Sequence, residues 1–162
     1  MAGRSDTRLL AASAVAIVCV DQLTKSLVAA SLGPFAPASR VDLVGGWLAI
    51  EYAENRGAAF GLFGDVSSLL PLIGIAIVVA LLVHYASETS PSIVETLAMG
   101  AVIGGAIGNL IDRLRLGYVV DFIAAGPWPN FNFADSAVTV GVFLLVWNWV
   151  RVDRRHEPAR PR

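Results

Sequence analysis

Long apolar runs alternate with short polar segments rich in Gly and Pro, a pattern that predicts helices joined by compact connections. Four runs are long enough to cross a hydrocarbon core, which takes about 20 helical residues. They are approximately Leu9 to Ala30, Leu69 to Tyr85, Ile93 to Leu114 and Ala134 to Val150. Between the first two, Ser31 to Ser68 contains Gly33, Pro34, Pro37, the pair Gly45-Gly46 and the aromatics Trp47 and Tyr52. Val41 to Val44 and Trp47 to Tyr52 alternate partially with period two on either side of the Gly-Gly turn signal, which predicts a small hairpin. The expected fold class is an all-α polytopic membrane protein: four transmembrane helices and a small extracytoplasmic β-hairpin or sheet, in a single domain over residues 1–162. A disordered tail is expected over about 153–162, where Arg and Pro replace the apolar pattern.

Composition agrees with this class. Hydrophobic residues make up 56% of the chain and charged residues 15%, with a mean hydropathy of +0.65, which is outside the range of ordinary soluble domains. The net charge of -1 carries no nucleic-acid signature. The positions of the cations orient the chain: Arg4 and Arg8 precede the first span, and Arg151, Arg154, Arg155, Arg160 and Arg162 follow the last. An even number of spans with these flanks puts both termini in the cytoplasm. The first apolar run continues past Ala11 to Ala14 as far as Val20, which argues against a removable signal peptide. The lone Cys19 has no internal disulfide partner and reads as a small buried hydrophobe.

In the third span, Gly100, Gly104 and Gly108 recur every four residues and line one stripe where another helix can approach closely. Gly105, Asn109 and Asp112 form a polar edge beside it, expected to face protein or water.

Candidate chemistry comes by elimination. His84 and His156 are expected on the cytoplasmic side, too far from the outer acids or from Cys19 to build a Ser-His-Asp or Cys-His arrangement. No zinc-ligand spacing and no phosphate-binding Gly-rich loop occurs in the sequence. Paired carboxylates remain. Asp121 and Asp135 end apolar runs, separated by a connection broken at Pro127 and Pro129. Such a pair hydrolyses an amide when one ionised carboxylate deprotonates water and its protonated partner donates to the carbonyl oxygen. Asp112 is a rival partner, with Arg113 or Arg115 nearby as a structural counter-ion. Simpler roles stay open at this point: Asp135 as a helix N-cap, Asp121 as a solvated interfacial acid, Asp21 and Lys25 as an ion pair across a helix turn, Asn55 with Gly57 as a turn, and Trp128, Trp147 and Trp149 as interfacial belt residues. A proton- or ion-coupled carrier and a noncatalytic scaffold are the rival function classes. The gathering of acids near one face favours hydrolysis over transport.

Four blocks carry a resemblance: Asp21 to Lys25 (DQLTK), Glu54 to Gly61 (ENRGAAFG), Gly104 to Arg113 (GGAIGNLIDR) with Gly117 to Phe122 (GYVVDF), and Phe131 to Asp135 (FNFAD). In this order, each at the end of its span, they resemble the lipoprotein signal peptidase (signal peptidase II) family over nearly the whole chain. The resemblance implies an intramembrane aspartyl endopeptidase of the bacterial cytoplasmic membrane, multi-pass, with its active site near the outer leaflet. It would remove signal peptides from diacylglyceryl-modified prolipoproteins by cutting on the N-terminal side of the lipidated cysteine. By motif, Asp121 and Asp135 take the catalytic positions. Asn55, Gly57, Asn109, Asp112, Arg113, Asn132, Asp21 and Lys25 take substrate-binding or supporting ones. The resemblance further implies membrane lipid as a partner, inhibition by the cyclic peptide globomycin, and no metal or other cofactor. The segment around Pro127 to Pro129 is expected to form the loop over the site.

Overall fold

The computed structural model describes residues 3–56, 70–87 and 91–156. In chain order it contains α1 (Gly3–Leu32), β1 (Arg40–Val44), β2 (Leu48–Asn55), α2 (Leu70–Ser87), α3 (Ile93–Leu116), β3 (Val119–Ala125), β4 (Trp128–Phe131) and α4 (Phe133–His156). Among the described residues, three stretches are long and apolar enough to cross a membrane: Thr7–Leu32, Ile93–Leu116 and Phe133–Arg151. The expected tail begins too early, because α4 continues to His156.

α3 is the central helix, with α1 and α4 packed on it and α2 leaning against it. Glycines permit the close approach. A Cβ on Gly104 would lie 2.6 Å from the Ala14 carbonyl oxygen, and one on Gly100 would run into Ser13, so the predicted glycine stripe is the seat of α1. Gly141 does the same for α4, where a Cβ would lie 2.7 Å from the Ala98 carbonyl oxygen. Lipid is as apolar as a side chain, so helices in this class associate through such close packing rather than through the hydrophobic effect. Around these contacts Leu10, Ala14, Ala98, Met99, Val102, Ile103 and Leu145 form the core. The outward faces carry Val15, Leu23 and Leu27 on α1 and Val140 and Phe143 on α4, all exposed. Cys19 also lies on the exposed face of α1, contrary to its reading as a buried residue: the seam toward α3 runs along Leu10, Ala14 and Ile17 instead.

α3 has defined ends. The Ser92 side chain accepts from the Glu95 N–H at 3.1 Å, and Gly117 at φ 81° closes the C-terminus by donating to the Arg113 carbonyl. That left-handed turn sends the chain directly into β3. The sheet is antiparallel in the order β1-β2-β3-β4. Its first hairpin is the predicted one, turning at Gly45 and Gly46, both at positive φ. Its second half was not expected. Most of the stretch between Asp121 and Asp135, read as a Pro-broken connection, instead belongs to the β3–β4 hairpin, which turns at Gly126, whose N–H donates to the Trp47 carbonyl at 2.7 Å. Pro129 is compatible with a strand because β4 is at the edge of the sheet.

Candidate functional site

The site forms where the sheet meets the C-terminal turns of α3, the polar turn of α1 and the N-terminus of α4. β2 and β3 pair with Ala53 opposite Asp121 and Asn55 opposite Val119, so Asn55 and Asp121 are diagonal neighbours on one face. Asn55 Nδ2 donates to Asp121 Oδ2 at 2.9 Å. The other oxygen of Asp121 accepts from Asn132 Nδ2 at 2.7 Å. Only 2% of Asp121 is exposed, which removes the reading as a solvated interfacial acid. Burial pushes its carboxyl up to about 6, against the Asn55 hydrogen bond; the nearby Asp135 charge acts in the same direction as burial, and Asn132 and Lys25 oppose it.

Asn132 also orients Asp135. It is the residue before α4, and its side-chain oxygen accepts from the Asp135 N–H at 2.9 Å, while its own N–H donates to Asp135 Oδ2 at 3.2 Å. The helix cap is therefore Asn132, and Asp135 sits three residues on, which corrects the reading of Asp135 as the N-cap. Asp135 Oδ1 accepts from Asn109 Nδ2 at 2.8 Å. A single asparagine thus touches both carboxylates, and Asn109 and Asn55 supply the outer donors.

Behind this pair lies a buried ionic cluster. Lys25, 3% exposed, directs its ammonium at Asp21 Oδ2 (2.8 Å), Asp112 Oδ2 (2.9 Å) and Asn109 Oδ1 (2.9 Å). All three donors of the ammonium are used. Because Lys25 and Asn132 Nδ2 both donate to Asn109 Oδ1, the amide of Asn109 is fixed with its nitrogen toward Asp135. Asp21 Oδ1 accepts the Ala134 N–H at 3.0 Å, so α1 helps to satisfy the first turn of α4. Asp112 Oδ2 accepts the Val120 N–H at 3.1 Å, one residue before Asp121.

The counter-ion of Asp112 is therefore Lys25 and not Arg113 or Arg115. Adjacent helix positions do not face each other, and Arg113 instead donates to the carbonyl of Asn109 at 3.3 Å. Gly57 lies outside the described residues. Gln22, a residue of the DQLTK block, also joins the cluster: its amide reaches Asp21, the Gly108 carbonyl and Asp112 at 3.2, 3.2 and 2.9 Å. A Gln inside an apolar run was the signal. A cavity of about 420 Å³ opens beside Asp135, lined by Trp128, Phe131, Ser136, Thr139 and Val140, so Trp128 borders the site and is not only a belt residue.

Two solved structures, each described as a bacterial membrane enzyme determined by the in meso method, share this fold. The one at 2.3 Å resolution superposes with TM-score 0.77 at 29% identity, covering 93% of this chain and 92% of that one. The one at 1.9 Å gives TM-score 0.74 at 32% identity, covering 85% and 89%. Apolar helices, sheet and carboxylate cluster together thus define an integral-membrane enzyme. Residues 13–151 match the family described as signal peptidase (SPase) II, and the chain belongs to that family. The lipoprotein signal peptidase of Syntrophomonas wolfei subsp. wolfei is 43% identical over 131 residues, 80% of this chain and 85% of the relative. That of Geobacter sulfurreducens is 36% identical over 158 residues, 93% and 97% of the two chains.

Proposed function

We propose that the protein is a metal-independent aspartyl endopeptidase that removes signal peptides from diacylglyceryl-modified prolipoproteins, cutting on the N-terminal side of the lipidated cysteine. The observation that carries this reading is the bridge of Asn132 between Asp121 and Asp135, in a chain of the signal peptidase II family. Asp121 is buried and holds its proton more tightly than an ordinary carboxyl, which suits it to donate to the scissile carbonyl oxygen. Asp135 accepts N–H donors from Asn109 and Asn132 in the first turn of α4, where the helix dipole favours negative charge. It deprotonates the attacking water. Asn55, Asn109, Asn132 and Arg113 hold the peptide and the carboxyls in register; Asp21, Lys25 and Asp112 support them from behind.

In this reading α2 is the fourth span, the chain is one membrane domain, both termini are cytoplasmic and the sheet lies at the outer leaflet of the bacterial cytoplasmic membrane. The substrate enters sideways from the bilayer. Globomycin competes for the same site. Cleavage of a diacylglyceryl-modified prolipoprotein by the purified protein, with chelator present and the product sequenced, tests the reading. A new N-terminus at the lipidated cysteine is expected; no cleavage by folded protein, or cleavage elsewhere, contradicts it.

A further inference from the structure

The pairing of β2 with β3 brings Asn55 to Asp121, yet Asn55 is the last residue of β2 and stands opposite Val119, the first of β3. The end of a strand frays unless something beyond it is tied down. Tyr118 makes that tie. It lies between Val119 and Gly117, whose left-handed turn closes α3, so its backbone is set by the central helix. Its hydroxyl is hydrogen-bonded to the Tyr52 hydroxyl at 2.9 Å. The Arg56 guanidinium lies over its ring, 5.4 Å from the centroid, and is paired with Glu54 at 2.7 Å. Tyr52 comes before Asn55 and Arg56 directly after it, so Tyr118 holds β2 on both sides of the amide. Burial first, then Tyr118, hold the Tyr52 phenol above its usual range, with the charges of Glu54 and Asp112 adding. Tyr52 therefore keeps its proton over the range in which Asp121 titrates.

We propose that Tyr118 is a positioning residue for the reaction, fastening β2 through Tyr52 and Arg56 so that the Asn55 amide stays on Asp121. The proposal rests on the aspartyl peptidase reading above, with Asp121 as the acid. Asn55 favours the ionised form of Asp121, so a loosened amide lets that carboxyl hold its proton to higher pH. The charged groups around Asp121 are Asp21 and Lys25 from α1, Asp112 and Arg113 from α3, Asp135 from α4, and the Glu54–Arg56 pair at the end of β2. Removing a tyrosine hydroxyl leaves every one of these charges in place. The donor from Asn132 stays as well. What changes is the hold on Asn55.

The test follows kcat/KM against pH for the full-length purified protein on a diacylglyceryl-modified prolipoprotein peptide. Tyr118→Phe keeps the ring under Arg56 and removes the hydroxyl; Tyr52→Phe removes the same hydrogen bond from the other side, so either variant reads the bond if the other fails to fold. Each should move the basic limb up by about half a pH unit, a fraction of what a whole hydrogen bond to a carboxylate contributes. The double variant should move it no further than either single one. In an Asn55→Ala background, Tyr118→Phe should not move it at all. A purely structural loss lowers the rate alike at every pH, so a limb that stays in place in both Phe variants overturns the proposal. A shift that survives in the Asn55→Ala background overturns it too, because Tyr118 would then act by another route. A wild type that does not cleave the peptide overturns the peptidase reading and this one with it. A cleaving wild type with unmoved limbs in the variants overturns only the positioning role.

Discussion

Asn132 and Asp135 close the N-terminus of α4 reciprocally, each backbone N–H donating to the other's side chain. This is a capping-box arrangement with Asn and Asp in place of the usual Ser or Thr and Glu. The contact that starts the helix is also the one that aims the Asp135 carboxylate, and the spare amide hydrogens of Asn132 reach Asp121. Folding of α4 and alignment of the pair are therefore one event.

Asn132→Ser separates the two roles. Ser caps a helix about as well as Asn, so thermal unfolding in detergent should change little, while kcat should fall at least tenfold for want of the donor to Asp121. Asn132→Ala should lose activity and also about 1 kcal/mol of stability. Full turnover by the Ser variant would detach Asn132 from the chemistry.

The pH profile follows Asp121. Its carboxyl is raised from 3.8 to about 6, so the catalytic proton is present below that value and lost above it. The basic limb of kcat/KM is expected near pH 6 in the free enzyme. Asn55 donates to the ionised form; Asn55→Ala should move the limb to higher pH, and an unmoved limb would count against Asp121 as the acid. Stability carries the same sign. A folded pKa above the unfolded one stabilises fully below 3.8, and that contribution disappears as pH rises through about 6. Asp121→Asn should therefore gain thermal stability over the wild type at pH 8 relative to pH 4.

Lys25 is the only cation contacting Asp21 and Asp112 among the described ion pairs. Lys25→Met leaves buried carboxylates uncompensated, a loss on the order of 3–5 kcal/mol. Adding Asp112→Asn removes one of those charges and should restore part of the unfolding temperature. A double variant no more stable than Lys25→Met would show that the pairing is not what holds α1 to α3.

Three of the four expected spans and the first hairpin were legible because their signals are local: apolar length, glycine spacing and a Gly-Gly turn between alternating runs. β3 was not. Val119 to Ala125 is buried on both faces, so apart from Asp121 it reads as an apolar run with no alternation, and Pro129 masked β4, whose edge position only the assembled sheet reveals. The site residues were legible as types, isolated acids and amides within apolar sequence. Their partners were not, because Lys25 and Asp112 meet only after α1 packs on the glycine face of α3, whereas Arg113 and Arg115 are near in sequence but are not in the ion pairs of Asp112 among the described residues. The cap role left open for Asp135 belongs to Asn132 for a similar reason: the helix begins before the apolar run does.

The central claim is that Asp121 and Asp135 act together as acid and base. Its most direct test is single-turnover cleavage of a diacylglyceryl-modified prolipoprotein by wild type, Asp121→Asn and Asp135→Asn, each purified from membranes and matched for thermal unfolding. Both variants should lose at least a hundredfold in the cleavage rate, the lower end of what a positioned acid or base contributes. Wild-type turnover in either variant would contradict the account.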